Sequence, residues 1–189
     1  MGTSIVNEVE LWTCARADDG RAFASLFDQH RDRVFRHCLR LVENSHDAEE
    51  VTATSFLELW RRRTSITLVN DSVLPWLLVT ASNVARNVSR GTRRYRALLD
   101  ALPRTTDALD HAQAMADVDD KDVESTLMLE LKSLGQRDAA LIVLVSLEGY
   151  TIIDAALLLG LSPGAARTRL HRAKKKLREQ FPQLVKELP

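Results

Sequence analysis

Apolar positions recur at helical spacing along most of this chain. Between residues 21 and 42, Phe23, Phe27, Val34, Cys38 and Leu41, flanked by Leu26, Phe35 and Val42, fall three or four residues apart and predict an amphipathic helix. A second is predicted over 47–61, with Ser45 as its cap, acids early in the helix, and Ala48, Val51, Ser55 and Leu59 along one stripe. The segment "RRRTSITLVNDSVL" that follows contains strand-like residues without sustained alternation and reads as a loop. A third helix starts near Pro75. At 100° per residue, Leu74, Leu77, Leu78, Ala81, Val84, Ala85 and Val88 share one side of it, and Asn83, Arg86, Asn87, Arg90 and Arg94 share the other. Ile5, Val6, Val9 and Trp12 also have helical spacing, which fits either a short added helix or a frayed end.

The C-terminal third resolves into four short helices. Val123–Lys132 is the first, and a "GQRD" turn leads to the second, Ala139–Leu147, which Gly149 breaks. Thr151 caps Ile152–Leu159, Gly160 ends it, and Ser162-Pro163 opens the last. In that last helix Ala166, Leu170, Ala173 and Leu177 form a stripe expected to pack on Ile153, Ala156 and Leu157. Thr168, His171, Arg172 and Lys175 then point away, with Arg167, Arg169, Lys174 and Lys176 on the flanks. Two short helices around a Gly turn, the second strongly basic, make the pattern of a helix-turn-helix. The expected fold is all-α: two small helical domains joined by a flexible acidic linker, the second a four-helix domain with a helix-turn-helix. The boundaries read as an N-terminal extension 1–19, a first domain 20–98, a linker 99–122, a second domain 123–182 and a tail 183–189.

Charge changes this picture more than composition does. The 26 basic and 26 acidic residues of the 189 cancel, but they are sorted along the chain. Residues 43–58 carry acids and no Lys or Arg, 86–96 carry Arg and no acid, 107–130 are strongly acidic, and 163–178 are basic throughout. Such blocks suit several distinct partners or partial self-screening. Arg offers phosphates a fixed fork of donors and Asn offers a base edge both a donor and an acceptor, so both basic helix faces suit nucleic acid. Each reads also as a solvated face. The sequence contains no uninterrupted apolar stretch long enough for a membrane span and no signal-like start, so a cytoplasmic protein is expected, with Cys14 and Cys38 as thiols and Cys38 in a core.

Catalytic motifs are absent from the sequence: there is no P-loop, no GxGxxG after a strand and no HExxH, and the five histidines lack ligand spacing. No enzyme, cofactor or metal is expected. A dimeric helix-turn-helix regulator would leave the Asn/Arg face of the third helix unexplained, and a helical adaptor would not need the reading-face geometry.

Four stretches in order, "DDGRAFASLFDQHRDRVFRHCLRLVENSHDAEEVTATSFLELW", "LPWLLVTASNVARNVSR", the acidic linker and "GYTIIDAALLLGLSPGAARTRLHRAKKKLRE", resemble the extracytoplasmic-function (ECF) sigma factors of bacterial RNA polymerase, over about residues 12–181. The resemblance implies an alternative sigma factor that binds core polymerase, selects promoters through −35 and −10 elements and helps open the −10 duplex. It implies polymerase contacts, on a clamp helix of the largest subunit, by Asp47, Glu49, Glu50 and the exposed edges of Phe56 and Trp60, both aromatics reading equally well as core. The flap region of polymerase is a further expected contact. Asn83, Arg86, Asn87 and Arg90 would face the −10 element, and the loop 62–71 would hold a flipped base. Arg167, Thr168, Arg169, His171, Arg172 and Lys175 would serve the −35 element. Promoter DNA and core polymerase are the implied partners, with room for an anti-sigma factor. The linker would thread toward the RNA exit channel or act as a tether. Thr54, Ala155 and Ala166 depart from the family pattern, the alanines implying either tighter packing or a different crossing in the helix-turn-helix.

Overall fold

The computed structural model describes residues 7–42, 44–101 and 134–180, and their side chains apart from 89–101 and 180. The expected helix Val123–Lys132, nearly all of the linker and the tail fall outside the described residues. Within them every regular element is a helix: α1 Glu8–Arg16, α2 Gly20–Leu41, α3 Ser45–Arg61, α4 Leu74–Ala101, α5 Gln136–Leu141, α6 Ile152–Leu159 and α7 Pro163–Gln180. α5 widens into a π-helical turn from Ile142 to Leu147.

Local chemistry accounts for most of these boundaries. The side chain of Asn44, rather than that of Ser45, caps α3 by accepting from the Asp47 N–H at 2.8 Å; Ser45 is the first helical residue. Asp18, at φ 76°, turns the chain between α1 and α2, and Asp19 caps α2 through the Arg21 and Ala22 N–H groups. The Thr151 side chain and the Asp154 side chain cap each other's backbone N–H in a capping box, and Gly160 ends α6 in the left-handed conformation. Ser162 Oγ accepts from the Ala165 N–H at the head of α7.

α2, α3 and α4 pack on one another, and α1 lies along α2. The Ala48, Val51, Ser55 and Leu59 stripe of α3 is buried as its spacing requires, together with Leu26, Val34 and Cys38 of α2 and Leu77, Leu78 and Ala81 of α4. The N-terminal segment forms a helix seated in this core, with Trp12 at 3% and Ala15 at 0% exposure. Burial pushes the Cys38 thiol up to about 11, so it is an inert core group.

In the second half, α7 lays Ala166, Leu170, Ala173 and Leu177 against α6, α5 and the π turn. The expected partners of that stripe are partly wrong. α6 buries Ala155 and Ala156, while Ile153 and Leu157 are 68% and 63% exposed. Two alanines let the helices approach closely and so decide which face turns inward.

The two halves touch. α4 packs on α5 and the π turn. The π turn closes with Glu148 N–H bonded to Val143 O and Gly149 in the left-handed conformation, and it presents Glu148 to Arg33 and His37 of α2. Asn70, in the loop before α4, donates to Asp154 Oδ2 at 3.3 Å.

His37 is buried, with Nε2 2.9 Å from Ser82 Oγ and Nδ1 3.9 Å from Glu148. Burial lowers its pKa from 6.5 to about 4; Glu148 and a backbone contact at Leu78 oppose that shift, and the positive charges of Arg40 and Arg33 add to it. Because the unfolded chain takes up this proton first as pH falls, stability is complete above pH 6.5 and is lost toward pH 4. Denaturant unfolding at pH 5 should therefore show about 2 kcal/mol less stability than at pH 7.5 from this group. His37→Gln should remove most of that difference.

Candidate nucleic-acid interface

Three surfaces emerge from this packing. On the first, burying Ala166, Leu170, Ala173 and Leu177 forces Arg167, Thr168, His171, Arg172 and Lys175 outward, and all five are exposed. The Thr168 hydroxyl donates to Gly164 O at 3.0 Å, leaving its oxygen to accept. Arg169 differs from its neighbours: its Nη1 lies 2.8 Å from Asp138 Oδ1 of α5, so it braces α7 against α5. Lys175 lies 3.7 Å from Glu179, a solvent-screened pair. The face is a cationic ridge with a hydroxyl and an imidazole at its centre, side chains of the kinds that can contact phosphates and base edges.

The second surface is a groove between α3 and α4, lined by Thr54, Glu58, Arg62, Trp76, Asn83 and Asn87, with Gln136 of α5 closing it from the other half. Asn83 and Asn87 therefore share one concave face, as their spacing predicts. Arg86 does not join them at the surface. It is only 9% exposed. The side chain of Arg90 lies outside the described residues. Beside the groove, the loop from Arg62 to Val73 ends in a tight turn in which Val69 and Ser72 exchange two backbone hydrogen bonds of 3.2 Å. Asn70 and Asp71, at φ 53° and 57°, form its tip, residue types that tolerate the left-handed region.

The third surface is apolar and runs between α2 and α3. Phe23, Phe27, Ala53, Leu57 and Trp60 line it, and it continues past Phe35 to Glu49. Here the expected contacts need correction. Phe56 is 3% exposed and packs edge-on against Phe27 with centroids 4.7 Å apart, so it is core and reaches the groove only as part of its floor. Leu57, its neighbour, is 52% exposed and stands over the groove. Trp60 is half-buried, edge-on to Phe23, with the Arg63 guanidinium 4.2 Å from its ring centroid. Glu49 and Glu50 are exposed beside the groove, while Asp47 accepts from Asn44 at the helix start. Leu57 was legible in principle, as the large apolar residue on the polar side of the α3 stripe.

Among the described residues no group of three or more His, Cys, Asp or Glu side chains could hold a metal ion. Among them, too, no helix is long and apolar enough to cross a membrane.

Comparison with known proteins fits these surfaces. A family model described as "Sigma-70 region 2" matches residues 26–95, and one described as "Sigma-70, region 4" matches residues 125–177. RNA polymerase sigma factor CarQ of Myxococcus xanthus is 34% identical over 88% of this chain and 93% of its own. ECF RNA polymerase sigma factor SigW of Bacillus subtilis is 26% identical over 86% and 90%. Among solved structures, CnrH in complex with the cytosolic domain of CnrY has the same fold, with a TM-score of 0.59 at 20% identity, covering 93% of this chain and 97% of that one.

Proposed function

This chain belongs to the ECF sigma factors of the sigma-70 family, which direct RNA polymerase to promoters, and from that membership we propose how its surfaces divide the work. α7 reads the −35 element with Thr168, His171 and Arg172, while Arg167, Lys175 and the other lysines hold phosphates. Arg169 contributes by keeping α7 in place. Asn83, Asn87, Arg86 and Arg90 of α4 engage the −10 element, and the loop 62–73 takes the flipped base. The α2/α3 groove, flanked by Glu49 and Glu50, docks on a clamp helix of the polymerase largest subunit, and the second half meets the flap. Residues 20–98 and 123–182 act as the two working domains of a cytoplasmic factor. An anti-sigma factor is a further partner, as NepR is for the sigma factor RpoE of Bartonella quintana.

The observation that carries this reading is the sorting of α7, whose apolar stripe is wholly buried while its readers and cations face out. Promoter geometry adds a requirement. Elements centred about 25 base pairs apart lie roughly 80 Å apart along B-DNA. A chain in which Asn70 touches Asp154 cannot engage both. The two halves must part on the promoter. The linker beyond the end of α4, residues 102–122, reaches roughly 70 Å when fully extended, the order of that gap.

Transcription by core polymerase and this protein from a promoter library tests the reading, with Arg172→Ala as the informative variant. It should lose roughly 1–3 kcal/mol of discrimination at one −35 position. A loss spread evenly over sequences would make Arg172 a phosphate contact, and selection of no promoters by the wild-type protein would sink the reading.

A further inference from the structure

Glu8 lies in the first turn of α1, yet its partners are far away in sequence. The turn at Asp18 lays α1 antiparallel along α2, so Glu8 arrives opposite Gln29 and His30, and also beside the N-terminus of α4. Its Oε1 accepts from the Val73 N–H at 2.8 Å and from Ser72 Oγ at 3.0 Å, and lies 2.9 Å from His30 Nε2. Its Oε2 accepts from Gln29 Nε2 at 3.2 Å. Ser72 Oγ in turn accepts from the Leu74 N–H at 3.1 Å, so the carboxylate is wired into the first turn of α4, where the helix dipole also favours a negative charge. The Glu8 side chain is 12% exposed and that of His30 8%. Burial by itself would raise the Glu8 carboxyl, but His30, the Val73 N–H and Ser72 outweigh it and hold the pKa below its ordinary value.

These contacts converge on the root of one loop. Ser72 is the residue that pairs with Val69 across the tight turn, and Ile66, Val69 and Val73 are buried beneath it. The root is thus fixed by Glu8 and by apolar anchors, while Asn70 and Asp71 stand exposed at the tip. A pocket that must accept one extruded base and refuse others has to be held to a fraction of an ångström, and loops achieve that through a supporting shell.

We propose that Glu8, seated against His30, is a positioning residue for −10 base capture: it holds the root of the 62–73 loop in the geometry that selects and keeps the flipped base. This rests on the assignment of that loop under Proposed function. The role gives the N-terminal helix a part in promoter opening although it touches no DNA.

The test compares wild type, Glu8→Gln and Ser72→Ala in complex with core polymerase on promoters varied at each −10 and −35 position, with duplex templates and with templates mismatched across the −10 region. Glu8→Gln keeps an acceptor oxygen but loses the charge and sets an amide NH2 against its donors. Discrimination at the captured −10 position should fall about 10-fold, the scale of one charge-assisted hydrogen bond. Polymerase binding and −35 preference should stay as in wild type, and the mismatched template should restore the variant's activity to within about twofold of wild type, because the opening step has been bypassed. Ser72→Ala, which removes one donor and leaves α1 intact, should shift the same position by a smaller factor, and it carries the test if Glu8→Gln does not fold. Unchanged −10 discrimination in the folded variants overturns the proposal, and so does a loss shared by the −35 positions and not rescued by the mismatched template. If wild type itself shows no −10 preference, the loop assignment fails and the proposal with it; that outcome is separate, because it is read without any variant.

Discussion

Leu57→Asp is expected to weaken association with core RNA polymerase roughly 100-fold, with helical content and unfolding midpoint close to wild type. The size follows from where Leu57 stands. At 52% exposure it has little packing to lose when replaced, so the folded chain tolerates the change. In the proposed complex the same side chain lies at the centre of an apolar groove made by Phe23, Phe27, Ala53 and Trp60. A carboxylate there is set among apolar side chains and must be desolvated by the partner. Titration of labelled core polymerase with the variant, alongside Ser25→Asp on the exposed side of α2, separates loss of docking from a general charge effect. Equal affinity for Leu57→Asp and wild type would place the polymerase contact elsewhere.

Tethering the halves should abolish promoter opening, with a loss of more than about 100-fold in transcripts, since neither element can then be engaged together with the other. Asn70 and Asp154 supply the place for the tether, being 3.3 Å apart between side-chain atoms. With the exposed Cys14 changed to Ser, Asn70→Cys and Asp154→Cys can be bridged by a short cleavable reagent, the buried Cys38 staying unreactive. The unbridged double variant controls for the lost capping box on α6. Full transcription from the bridged protein would show that the halves do not need to part. Return of activity on cleavage is the expected result.

Much of the fold was legible from helical periodicity, because a buried stripe at three-to-four spacing is a local property of the chain. The faces of α3 and α7 follow from it directly, as do the caps at Thr151 and Gly160. Periodicity failed where a helix has no polar side to break its symmetry. α6, "IIDAALLL", is apolar nearly all round, so its inward face depended on which residues allowed the closest approach, and the alanines won over Ile153 and Leu157. The edge that the resemblance implied at Phe56 is turned into the core, the alternative the residue also allowed, and Leu57, 100° further round the helix, is the exposed neighbour. Arg86 sits on the polar side of its own helix by spacing, yet it is buried in the folded chain.

The sequence by itself determined the helical character of the described elements and which faces of α3 and α7 turn inward, because these depend on residues within one or two helical turns of one another; the family followed from four stretches taken in order along the chain. Tertiary structure alone decided the burial of Arg86, the seat of Glu148 between Arg33 and His37, and the bond from Glu8 to the root of a loop more than sixty residues on. Those contacts join positions that no local period relates. The Glu8 and Glu148 contacts exist because an antiparallel turn at Asp18 and a widened turn before Gly149 bring polar groups far apart in sequence within reach of one another.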